Sequence, residues 1–292
     1  MPGVKRKLSY PKAHEMMSSE NSLNELIRLA SRAKIYDLEP VRYPGMPFFP
    51  TQAPGYMYFL HRRHSDSQAD SGKHLTSGTS GMINSADHVG THVDALCHIA
   101  YEGKLLGTTP VTNDLEWRHG YKKYGAETLP PLILPGIMLD VPALKGVDVL
   151  PEGYAITVED IEDCCKRENV NIAKDEAVLV RTGYARFWKE PVKYLRAAGL
   201  SKEANQMLAD KGVKVIGADN LAIDPSVPSE PGKERPHHAH EYCLPQKGIY
   251  LLETMSLEPL SEDKCYRFLL VCLPLKFQGA TAGWARPIAM RL

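Results

Sequence analysis

Two runs, Ala177-Val-Leu-Val-Arg-Thr-Gly183 and Val213-Lys-Val-Ile-Gly-Ala-Asp219, decide the fold class. Both are short, apolar and rich in β-branched residues, and each carries a glycine at or near its end, as buried strands do. Between them, Ser201–Lys211 repeats apolar residues at helical spacing. Upstream, PLILPGIMLDV (131–141) reads as a third buried strand with a Pro-Gly interruption. Thr157 is placed to cap a helix, with Asp160 at its third position, running to about Lys166. Later runs, GIYLLETM and YRFLLVCLPLKF, add further strands. The chain therefore reads as a mixed α/β fold, with helices packed around a largely β core.

Working outward, residues 1–21 carry little hydrophobic periodicity and are expected to form a flexible lead-in. Ser22–Ala33 is a predicted first helix, striped by Leu23, Leu26, Ile27 and Leu29. IYDLEPVRYPGMPFFP has strand character that runs into a Pro/Gly-rich loop, and residues 62–87 suggest a long surface loop or irregular hairpin. With no repeat and no low-complexity linker, residues 22–292 are expected to form one domain.

Hydrophobic residues make up 43% of the 292, and 35 basic side chains balance 35 acidic ones. No global field draws this chain to nucleic acid or to an anionic membrane. No apolar run reaches the roughly 20 residues of a membrane span, and the N-terminus lacks the apolar stretch of a secretory signal. Six cysteines, at 97, 164, 165, 243, 265 and 272, form no C-x-x-C pair. Free thiols in a reducing cytoplasm are the expected state.

Chemistry concentrates in His88-Val-Gly-Thr-His92-Val-Asp94-Ala-Leu-Cys-His98. Three imidazoles and a carboxylate within eleven residues are a donor set for zinc, manganese or iron. His92 and Asp94 are two apart, so an extended chain points both to one side. Gly90 permits a tight bend between His88 and His92. Crowded polar groups of this kind are costly to bury without a shared cation; isolated histidines such as His14, His61, His64 and His119 carry no such implication. A second cluster is Arg235-Pro-His237-His238-Ala-His240, followed by Glu253 within the apolar run GIYLLET. A carboxylate there needs a cation or a hydrogen-bond partner. His240 and Glu253 are therefore candidates to close the metal site, and His237 and His238 are weaker ones.

The pattern H-x-G-T-H-x-D-x-x-x-H, with a later histidine and a Glu after an apolar run, resembles the cyclase-like metal hydrolases, which include bacterial kynurenine formamidase and isatin hydrolase. The resemblance runs from about Tyr36 to Pro287 and takes in YDLEPVRYPGMPFFP, VLVRTGY, VIGADNLAIDP and LPLKFQGATAGWARPIA in order. It implies a swivelling β/β/α-type fold and one or two divalent ions, Zn²⁺ or Mn²⁺, per chain. By that resemblance His88, His92 and Asp94 match metal ligands, and His98 matches the catalytic acid–base histidine. In formamidase-like members Asp94 would bridge to a second zinc held by positions matching His240 and Glu253. Isatin hydrolase-like members use one manganese, with Gln at the position of Glu253. The family's members associate, which implies a homodimer or homotetramer. Two departures stand out: Leu96-Cys97 replaces the usual proline before the last motif histidine, and the spacing from His240 to Glu253 is loose.

The expected activity is hydrolysis of a small amide, either an N-acyl amine or a ring amide or imide of the formylkynurenine or isatin kind, by metal-activated water. Phe49 is the candidate substrate contact, although core packing would explain Phe48 and Phe49 as well. Besides a structural or interaction protein, which a site this dense disfavours, two rival readings stay open. One is a metal-dependent cyclase or dehydratase acting on a carbonyl compound; the other is a protein that binds metal or ligand without catalysis.

Overall fold

The computed structural model describes residues 13–68, 76–227 and 236–291, with 13–21, 67 and 68 described by backbone alone. Arg235 and most of the expected lead-in, residues 1–12, lie outside the described residues. Helix α1 spans Ala13–Arg32, so it begins within the stretch read as lead-in. In chain order the strands that matter are β1 (Lys34–Asp37), β2 (Met57–Arg62), β3 (Ser80–Asn84), β4 (His92–Asp94) and β5 (Leu132–Asp140). They continue with β6 (Ala177–Arg181), β7 (Val215–Ala218), β8 (Tyr250–Glu253), β9 (Arg267–Cys272), β10 (Ala282–Trp284) and β11 (Ile288–Arg291). Three further helices support them: α2 (Val158–Glu168), α3 (Lys202–Asp210) and α4 (His238–Tyr242).

Nine of these strands form one mixed sheet in the order β1-β11-β9-β5-β6-β7-β8-β4-β10. Strands β5 to β8 run parallel, and both flanks turn antiparallel. The central strands are buried on both faces, which explains why β6 and β7 read as continuous apolar runs rather than alternating ones. The two runs that decided the fold class are neighbours, pairing from Ala177 opposite Val215 to Val180 opposite Ala218. Strand β5 is continuous through Pro135-Gly136. Pairing to β6 starts only at Gly136, so the missing N–H of Pro135 falls before that ladder begins. The ring of Phe268 fills the space where a Cβ on Gly136 would sit.

Helix α2 has the expected capping box. Asp160 N–H donates to Thr157 Oγ1 at 3.2 Å, and Thr157 N–H donates to Asp160 Oδ2 at 3.1 Å. Ser201 caps α3 in the same way, accepting from Ala204 N–H. The 62–87 stretch is partly regular: β2 and β3 pair as an antiparallel hairpin. The apolar stripe of α1 differs from expectation in its packing, because Leu23, Leu26 and Ile27 are exposed rather than set on the core. All six cysteines are free thiols. No described helix is long and apolar enough to cross a membrane.

One buried carboxylate on α2 sets a pH dependence. Glu168 Oε1 accepts from Asp140 N–H at 2.9 Å, while buried Oε2 has no hydrogen-bond partner. Burial pushes this carboxyl up from its ordinary 4.5 to about 7. The folded chain then keeps a proton that the unfolded chain has lost, so this group lowers stability as pH climbs from about 4.5 to about 7. Glu168→Gln should remove that slope. Denaturant unfolding at pH 5 and pH 8 should show the variant gaining on wild type by on the order of 1–3 kcal/mol at the higher pH. Equal gaps at both pH values would show that Glu168 ionises normally.

Candidate metal centre

Local backbone geometry gathers the first donors. Gly90 takes φ +77, and a Cβ there would come within 2.6 Å of the Arg42 guanidinium, so only glycine fits this bend. The bend folds His88 back toward His92. Strand β4 is then extended, and His92 and Asp94 share one face while Val93 enters the core. After Asp94 the chain turns, with His98 N–H donating to Ala95 O at 2.9 Å. Strand register supplies Glu253, which lies directly opposite His92. Helix α4 supplies His240, then widens into a π-type turn over Cys243–Lys247 that absorbs the loose spacing to β8.

The structure brings the five expected ligands and His98 together. His88 Nδ1 lies 3.1 Å and His92 Nε2 lies 3.3 Å from Asp94 Oδ1. His240 Nε2 lies 3.4 Å from Asp94 Oδ2 and 3.4 Å from Glu253 Oε1, and His92 Nε2 lies 3.6 Å from Glu253 Oε2. Two groups among the described residues have mutually close donor atoms: His88, His92 and Asp94, and Asp94, His98 and His240. The ring of His98 lies against His88, 3.9 Å between centroids, and edge-on to His240 at 5.7 Å. His98 was expected to carry protons, yet it stands among the donors of the second group.

These residues fit a divalent ion. Asp94 is wholly buried, and neither of its oxygens makes an aligned hydrogen bond. Such a group is costly unless a cation satisfies it. Donors bonded to one ion at about 2.0–2.2 Å lie about 3–3.6 Å from each other, which is the spacing found here. Burial opposes ionisation of Asp94, but the surrounding imidazoles of His98, His88 and His92 hold its carboxyl well below the usual range. Burial and the charge of His88 push His98 well below the ordinary imidazole value. Burial also works on His88, but Asp94 and Asp87 together raise it.

The supporting residues were not found from sequence. His88 Nε2–H donates to Thr281 Oγ1 at 2.8 Å, and that hydroxyl donates to Asp87 Oδ2 at 2.8 Å. This chain turns His88 so that Nδ1 faces Asp94. His92 Nδ1–H donates to Gly90 O at 2.7 Å, leaving Nε2 for the centre. Arg42 clamps the bend from behind, donating to Val89 O and Thr91 O while stacking on Trp284. Arg42 and Thr281 stand 46 and 193 residues from His88 in sequence, and only the folded sheet reveals them. Thr281 lies within the block LPLKFQGATAGWARPIA, where nothing in the sequence singles out its hydroxyl.

A cavity of about 150 Å³ opens beside the donors. Phe49, Thr51, Gln52, Ile99 and Leu221 line it together with His98. Phe49 therefore does reach the site. His237 also lines the cavity, whereas His238 does not.

Residues 34–225 match a family described as putative cyclase. The chain belongs to that cyclase family. Among its relatives, the kynurenine formamidase of Bacillus cereus is 25% identical over 213 residues, covering 71% of this chain and 78% of the relative. A crystal structure of a novel cyclase superposes with a TM-score of 0.79 at 24% identity, covering 92% of this chain and 90% of the other. Isatin hydrolase A from Labrenzia aggregata, bound to benzyl benzoate, gives a TM-score of 0.67 at 21% identity, with 92% and 98% coverage. Both structural likenesses concern the fold, and both agree with the mixed α/β reading. Through its sequence relatives, this member of the cyclase family is related to hydrolases.

The hydrogen-bonded chain behind His88 is open to test. Thr281→Val keeps the shape and removes the hydroxyl, so divalent metal affinity should fall about 10–100-fold while thermal stability changes little. Competition against a chromophoric chelator measures it. Unchanged affinity would mean that Thr281 does not orient the ring.

Proposed function

We propose that the chain is a metal-dependent hydrolase that opens a small amide. The observation that carries this reading is the buried carboxylate of Asp94, faced on both oxygens by imidazole nitrogens from separate elements and hydrogen-bonded to none of them. The imidazole and carboxylate donors suit zinc or manganese. The arrangement favours two adjacent ions, because Asp94 Oδ1 faces His88 and His92 while Oδ2 faces His240. When bound, a divalent ion supplies a polarising charge and an acidified water.

The chain's own residues account for the rest. His98 borders both the donors and the cavity, and burial keeps its imidazole neutral and able to accept a proton. It takes the proton of the attacking water and returns it to the leaving nitrogen, which is too poor an anion to depart alone. Phe49 offers an apolar wall for a planar or aromatic body, and Thr51 and Gln52 offer polar contacts. The small cavity favours a compact substrate, and an N-acyl amine or a ring amide or imide is the reading we adopt. The kynurenine formamidase relative and the isatin hydrolase neighbour lie on either side of that choice.

A paired substitution tests the roles. His92→Ala should lose metal outright, since it removes a donor. His98→Ala should keep metal but slow turnover by roughly 10²–10⁴-fold. Metal content by elemental analysis and turnover of formyl amides and isatin-like rings, with metal in excess, read both. If His98→Ala loses metal as badly as His92→Ala, His98 is a ligand. If neither wild-type turnover nor bound metal is found, the hydrolase reading falls.

A further inference from the structure

A tightly constrained loop, residues 219–225, leaves β7 and passes the centre. Leu221 and Ala222 within it line the cavity. Ile223 takes φ +60, a left-handed conformation that a β-branched residue rarely adopts. Asn220, wholly buried, holds that bend. Its Oδ1 accepts from Ile223 N–H at 2.8 Å and Ala222 N–H at 3.2 Å, and its Nδ2 donates to Ala198 O at 2.7 Å. Leu200 N–H donates to Ile223 O at 2.8 Å. Gly199 lies so close that a Cβ there would come within 2.2 Å of the Asp224 carbonyl carbon. Backbone strained in this way persists where the surroundings over-determine it, and it gathers at functional sites.

What the bend delivers is the carboxylate of Asp224, itself wholly buried. Its Oδ1 accepts from Asn205 Nδ2 at 2.9 Å, and its Oδ2 accepts from Ala239 N–H at 3.0 Å, at the start of α4. One residue further on, His240 turns Nε2 toward Asp94 and Glu253. Its other ring nitrogen, Nδ1, is buried and makes no hydrogen bond. The oxygen facing that nitrogen is Asp224 Oδ2, at 4.0 Å. A shift of about 1 Å would bring the pair to hydrogen-bond length. His88 and His92 already have their second nitrogens held, by Thr281 Oγ1 and by Gly90 O. Of these three imidazoles, His240 alone lacks that partner, and Asp224 stands where one belongs.

We propose that Asp224 is the positioning residue of His240: it seats α4 through Ala239 and keeps the ring proton on Nδ1, so that Nε2 offers its lone pair to the centre. Which imidazole nitrogen binds a metal is set by the hydrogen bond that the other one makes. The strained bend at Ile223 then has a purpose, since it aims one carboxylate at both the backbone and the ring of the same short helix. The proposal rests on the metal-centre reading for what His240 does. Its test needs neither substrate nor turnover.

Asp224→Asn tests this at constant shape. The asparagine Oδ1 can go on accepting from Asn205 and Ala239, which turns its NH₂ toward His240 Nδ1. A donor there favours the ring with its proton on Nε2, the wrong form for binding metal. Imidazole ¹⁵N NMR of the metal-free full chain at about pH 8, where an ordinary imidazole is neutral, reads the proton's position. The His240 signals are assigned by their loss in His240→Gln. Wild type should carry the proton on Nδ1. In Asp224→Asn it should move to Nε2, and Zn²⁺ affinity measured by chelator competition should fall about 10–100-fold. Asn205→Ala strips one hydrogen bond from the same carboxylate and should keep the wild-type proton position. Should Asp224→Asn fail to fold, the wild-type spectrum decides alone, because a His240 with no proton on Nδ1 overturns the proposal. An unmoved proton in Asp224→Asn would also overturn it, as would the same movement in Asn205→Ala, which would make the effect one of packing. A wild type that binds no ion yet carries the Nδ1 proton would sink the hydrolase reading and leave this one standing.

Discussion

A carboxylate sealed from water needs hydrogen bonds or positive charge, and Asp94 has no aligned hydrogen bond. The architecture around it answers that one requirement. Strand β4 places Asp94 where imidazoles arrive from the Gly90 bend, from its own strand and from α4, with Glu253 entering from the neighbouring strand. Remove the cation that this set is spaced for, and the centre becomes a costly knot of buried polar atoms. With a cation bound, the same atoms become an asset, and the folded state is stabilised by metal affinity.

The sheet explains why such a knot can be held at all. Parallel strands β5 to β8 end together, and their last residues, Asp140, Arg181 and Glu253 among them, collect at one rim. At β8 the sheet changes to antiparallel pairing, so β4 brings His92 beside the end of β8 rather than beside its start. Ligand sites of open α/β sheets lie outside the carboxyl ends of the parallel strands, and this rim is such an end. Here the change also recruits β10, whose flanking Thr281 fixes the ring of His88. The rest of the rim is consumed structurally. Arg181 is bound by Asp140 and Glu258, and Asp219 accepts three hydrogen bonds from Thr182 and Gly183.

What the sequence made legible follows from which forces are local. Apolar runs identified β5 to β9, most directly at β6 and β7 where burial on both faces leaves a compositional trace, while period and capping identified the helices α2 and α3. The centre was legible too: three donors and His98 lie within eleven residues, and Glu253 betrays itself as a charge in an apolar run. What stayed hidden depends on contacts distant in sequence. Arg42 looks like any loop arginine until its guanidinium is seen bracing Val89 and Thr91, and Thr281 is one hydroxyl among many. The α1 stripe was legible as amphipathic, but a stripe says only that something must cover it, not that this chain's own core will.

That last distinction ties the surface of the molecule to its centre through the covalent chain. The hairpin arm is spliced between two parts of the site. Phe49, Thr51 and Gln52 precede β2 and line the cavity, while Asp87 and His88 follow β3 and belong to the centre. Any contact that seats the arm removes conformational freedom from both of its roots, at roughly 1–2 kcal/mol of backbone entropy per ordered residue.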